Sequence, residues 1–88
     1  MTEELKNLVR NYLQKAQESY ENKERYTRLA FNSGGSEEIR YKKLRNEQSD
    51  LYNEYLEKAD EAMLQLQDQG IESRVLQDGV TVEFYRRK

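Results

Sequence analysis

Asn32-Ser33-Gly34-Gly35-Ser36 interrupts a chain that otherwise reads as helix from residue 3 to residue 69. The break lies near the midpoint of that stretch and separates 3–31 from 37–69, two segments of similar length. Two equal helices joined by a short glycine-containing turn fold back on each other as an antiparallel hairpin. The glycines supply backbone that reaches positive φ without strain.

On the N-terminal side, Leu5, Leu8, Val9, Tyr12, Leu13, Ala16 and Tyr20 recur in steps of three and four. That spacing makes one apolar stripe on a helix. Thr2 is expected to cap this helix, with Glu3 and Glu4 at the positive end of its dipole. The stripe thins at Lys23 and resumes through Tyr26 or Thr27, Ala30 and Phe31, so the distal half should be the weaker and wetter one. On the C-terminal side Ser36 is the expected N-cap, and Glu37 and Glu38 fill the first turn. The second stripe runs through Tyr41, Leu44, Gln48, Leu51, Tyr55, Ala59, Ala62 and Leu66. Tyr52, Leu56 and Met63 widen it to a second flank. A face that wide predicts contacts on two sides, as in a bundle of more than two helices.

Gly70 stands where a helix-ending C′ glycine is expected, and Ile71 follows as its hydrophobic closure. The period then changes to two. Residues 71–76 and 80–85 read as strands around Asp78-Gly79, a strong two-residue hairpin signal. That turn sets Val75 opposite Val82 and Arg74 opposite Glu83, an apolar pair and an opposite-charge pair. One face then carries Ile71, Val75, Val80, Val82 and Phe84. An isolated hairpin is marginal in water, so this face must pack on something. The second helix returns the chain to the start of the first, which places the β-hairpin (71–86) at that end. The expected fold is therefore α+β, a single domain over 1–88 in which a long, coiled-coil-like helical hairpin precedes a C-terminal β-hairpin.

Composition limits what such a fold can do. The chain has 88 residues, 36% charged and 35% hydrophobic, with a mean hydropathy of −1.19. A core that thin predicts a homo-oligomer, most simply a dimer forming a four-helix bundle, or a partner. Open strand edges offer a second dimer contact. Seven tyrosines and ten leucines at structured spacings, and no proline, argue against disorder. Cysteine and histidine are both absent, which removes disulfides, thiolate chemistry and the commonest general base and metal ligand. No apolar run is long enough to span a membrane, and the acidic N-terminus lacks the shape of a signal peptide. The expected location is the cytoplasm.

Charge is unevenly spread. Residues 23–45 hold seven basic groups and three acidic ones, whereas residues 46–72 hold eight acidic groups and one lysine, Lys58. The loop end of the rod is basic and the shaft of the second helix is acidic. Arg25, Arg28, Arg40, Lys42, Lys43 and Arg45 are thus candidates for an anion site, with Tyr26, Phe31 and Tyr41 available to stack on bases. The competing reading is a solvated surface with intrahelical ion pairs. Glu37 and Glu38 oppose a phosphate at the loop itself, which also lacks the ending of a P-loop. Tyrosine is enriched at interfaces, so Tyr41, Tyr52 and Tyr55 are candidate partner contacts.

Glu57, Asp60, Glu61 and Asp68 are the carboxylates that acid–base chemistry would need, but no nucleophile–base pair accompanies them. No metal-binding motif is present either, and no cofactor is expected. Size and hairpin shape resemble the small helical-hairpin proteins of WXG-type secretion systems. The loop, however, has Phe31-Asn32-Ser33-Gly34 where that family has Trp-x-Gly, and the β-hairpin tail is foreign to it. In size and polarity the chain is also similar to small accessory proteins of phages and mobile elements. The expected function is non-enzymatic: an oligomeric interaction, inhibitor or adaptor protein that binds another protein. The alternative is a nucleic-acid or nucleotide binder that uses the basic tip.

Overall fold

Two helices of 30 and 34 residues, α1 (Thr2–Phe31) and α2 (Gly35–Asp68), pack antiparallel in the computed structural model, which describes residues 1–87. Two antiparallel strands follow, β1 (Ile71–Val75) and β2 (Val82–Arg86). The molecule is a rod of 57 × 19 × 15 Å.

The turn between the helices is shorter than 32–36. Gly34 is the N-cap of α2 in extended backbone, and Gly35, at φ +63°, already begins the helix. Only glycine enters a helix from that conformation without strain. Ser36 therefore lies inside α2, and no side chain caps that end. Thr2 likewise sits inside α1, preceded by Met1, and its hydroxyl donates across the fold to Gln69 Oε1 at 2.6 Å. This bond ties the start of α1 to the end of α2. Gln69 is the C-cap of α2 and Gly70, at φ +80°, is the expected C′ residue. The Gly70 amide donates to the Gln67 carbonyl at 2.9 Å, and Ile71 is buried just beyond.

Strand pairing has the expected register, with Arg74 opposite Glu83 and Val75 opposite Val82. The turn is wider than two residues. Gly79 N–H donates to the Leu76 carbonyl, and the Asp78 carboxylate accepts from the Val80 and Thr81 amides at 2.9 and 2.8 Å and from the Thr81 hydroxyl at 2.6 Å. Val80 consequently belongs to the loop and not to the apolar face. Val75 is 39% exposed, whereas Val82 opposite it packs against the core.

The core is concentrated at the β-hairpin end. Val9, Leu13, Ala59, Ala62, Leu66 and Ile71 are buried together, with Leu5, Tyr12, Leu56, Met63, Val82 and Phe84 packed around them. Further along α1, Ala16 and Ser19 are buried, and beyond Ser19 only Ala30 is buried among the described residues of the loop half. The distal half is thus thinly packed, as the stripe of α1 predicts. Phe31 does not continue that stripe. Ala30 takes the seam position and Phe31, one residue on, points to solvent.

Candidate functional site

Three tyrosine pairs bridge the helices along the seam. Tyr12 stacks on Tyr55 with centroids 6.2 Å apart, Tyr20 meets Tyr52 at 5.7 Å, and Tyr26 stacks on Tyr41 at 6.4 Å. Cations lie over five of the six rings. Lys58 and Lys15 lie over Tyr12 and Tyr55, Lys23 over Tyr20, and Arg25 and Arg40 over Tyr26 and Tyr41, at 4.9–5.9 Å. Each contact joins a ring quadrupole to a charge on the same or the facing helix. Lys58 also forms an ion pair with Glu54 at 3.3 Å. The hydrogen bond to Glu54, then the charges of Glu54 and Tyr12, raise the Lys58 pKa above its ordinary value.

This ladder decides what the tyrosines can offer a partner. Tyr41, Tyr52 and Tyr55 each have a partner ring on α1 and are half-buried. Among the basic tip residues, Arg25 and Arg40 lie on tyrosine faces, and Arg25 also donates to Asn22 Oδ1. Lys42 pairs with Glu38 at 2.9 Å, and Arg45 donates to Asn46 Oδ1. Arg28 and Lys43 have no ion pair or side-chain hydrogen bond to a described residue. The Tyr26–Tyr41 pair, stacked inside and covered by arginines outside, has little free face for a base.

Apolar side chains mark the tip instead. Phe31 is 88% exposed and Ile39 72%, and Leu29 lies on the side of Ala30 opposite Phe31. Sequence reading placed Phe31 among stacking candidates but missed the exposure of Ile39. The signal was available, since Ile39 falls off the stripe that Tyr41 and Leu44 define. Leu64, near the other end of α2, is 60% exposed and edges a shallow groove with Asp60, Met63, Gln67, Glu72 and Ser73. The Ser73 hydroxyl is buried there without a hydrogen-bond partner among the described residues. Gln67 donates to Glu72, and Arg87 holds Glu72 from the other side at 2.6 Å.

No group of three or more acidic residues among those described is placed to hold a metal ion. No helix of the described residues is long and apolar enough to cross a membrane. Comparison with protein-family models, curated proteins and solved structures gives no match.

Proposed function

We propose that this chain is a non-enzymatic, cytoplasmic interaction protein that works as an oligomer and grips another protein with the loop end of its rod. Such a protein acts by bridging or blocking its target, as an adaptor or inhibitor of the kind phages and mobile elements encode. The observation that carries the reading is Phe31, 88% exposed at the apex. An exposed aromatic within a basic surround is the composition of an anchor in a protein interface. The matching target is an acidic surface with an apolar pocket. Leu29 and Ile39 favour a protein over nucleic acid, because aliphatic side chains have no stacking face for a base. The engaged faces of Tyr26 and Tyr41 favour it too.

The test is affinity purification from the native host with wild-type and Phe31→Ala baits, read by mass spectrometry. A protein held by the wild type, lost by Phe31→Ala and retained in high salt supports the reading. Nucleic acid that is held equally by both baits and released steeply by salt would replace it with phosphate binding through Arg28 and its neighbours.

A further inference from the structure

The outer face of α2 carries a charge and apolar pattern that is complementary to itself when reversed. Twenty-five residues separate Ile39 from Leu64, about seven turns at 3.6 residues per turn, so both lie on one stripe of the helix. Between them that stripe runs through Lys43, Asn46, Asp50, Asn53, Glu57 and Asp60, all exposed. Its first part is basic and its last part acidic. We propose that a second copy of this chain docks here, α2 against α2, antiparallel about a two-fold axis between Leu51 and Tyr52. The proposal deepens the oligomer part of the proposed function and is independent of the tip.

That axis brings the two exposed aliphatic residues together, Ile39 of each copy over Leu64 of the other. It brings Lys42 and Lys43 of each copy level with Asp60 and Glu61 of the other, Lys42 on the flank of Asp60 and Lys43 on the flank of Glu61, and every such contact occurs twice. Asp50 meets Asn53, and Asn46 meets Glu57, while beside the axis Asp50 also approaches its own copy. Sliding one heptad either way loses this match. One shift sets Ile39 against Glu57, and the other sets Asp50 against Asp60. The groove edged by Leu64 and Met63 lies where the incoming Ile39 side chain must go. Lys43, Asp60 and Glu61 are also without an ion pair to any described residue in the single chain. Apolar contacts confined to the two ends leave a polar, wet middle, so association is weak and the charges chiefly set its register. The arrangement leaves Phe31 free and points the two tips in opposite directions.

The test is charge reversal with the full chain, followed by sedimentation over about 10–500 µM, the range expected of an interface with few apolar anchors. The variants are Lys42→Glu with Lys43→Glu, and Asp60→Lys with Glu61→Lys. Circular dichroism confirms that each stays helical, as exposed positions allow. The wild type should dimerise, and each variant alone should dimerise at least tenfold more weakly. An equimolar mixture should dimerise as well as the wild type or better, because all four facing pairs are then of opposite charge. A wild type that stays monomeric throughout would overturn the proposal together with the oligomer reading. A wild-type dimer insensitive to these reversals, or a mixture that fails to associate, would overturn this surface alone.

Discussion

Leu66→Ala probes whether the β-hairpin end holds the molecule together. Leu66 is fully buried within the cluster formed by Val9, Leu13, Ala59, Ala62 and Ile71. Truncation removes three carbons, worth about 0.8 kcal/mol each in lost transfer free energy, or roughly 2.4 kcal/mol. The residual cavity adds to this, and the expected loss is about 3–4 kcal/mol. For a chain of this size that is a large part of a total stability of roughly 4–13 kcal/mol. It corresponds to a melting temperature lowered by roughly 12–30 °C. Leu29→Ala makes the same chemical change at a position 38% exposed in the thinly packed half. Its expected cost is below about 1 kcal/mol. Both are read by urea denaturation followed by far-ultraviolet circular dichroism at one low protein concentration. Equal costs for the two substitutions would refute the view that the core is polarised toward the β-hairpin.

Two further outcomes follow from the side-chain geometry. A double-mutant cycle on Tyr12→Leu and Tyr55→Leu should return a coupling of about 0.5–1.5 kcal/mol, the range for aromatic pairs in contact; strictly additive costs would show that the stacked pair contributes only its burial. Asp78 should make hairpin stability pH-dependent. Hydrogen bonds from the Thr81 hydroxyl and amide, then the Val80 amide, hold its pKa below the ordinary carboxylate value. The stabilisation is therefore complete above the unfolded pKa of about 3.9 and is lost as pH falls through the lower folded value. Amide exchange at Val80 and Thr81 should accelerate across that acidic window in the wild type, and an Asp78→Ala variant should be fast at both ends of it.

Much of this architecture was legible from residue order. Glycines at the midpoint of a helical stretch gave the hairpin, and period-two alternation around Asp78-Gly79 gave the strand register. The turn itself departs from the two-residue form for a local reason. The Asp78 carboxylate accepts from the Val80 and Thr81 amides, which leaves residues 76–81 outside the strands and the register unchanged. α2 starts two residues before the expected 37, for which Ser36 has the character of a cap. Gly35 turns the chain into the helix earlier by using positive φ. The partners of the tyrosines within the chain are legible in the hairpin's symmetry. Reflection about the Ser33–Gly34 turn places Tyr12 opposite Tyr55 and Tyr26 opposite Tyr41. The burial of Ser19 and the exposure of Phe31 are harder to read. They depend on which of two adjacent residues takes the seam, and composition does not decide that.

The hydrogen bond from Thr2 to Gln69 spans 67 positions of the chain. The well-packed end of the rod is thus the end whose contacts are farthest apart in sequence. The most local interhelical contacts, such as Tyr26 with Tyr41, lie in the thin half. By the logarithmic scaling of loop closure, joining residues 67 apart rather than 15 apart costs about 1.3 kcal/mol more. The early contacts are therefore the weak ones, and the strong ones arrive only after the large loop has closed. Folding of this helical chain should be slow for its helix content, with a transition state that already contains the turn and rewards it late.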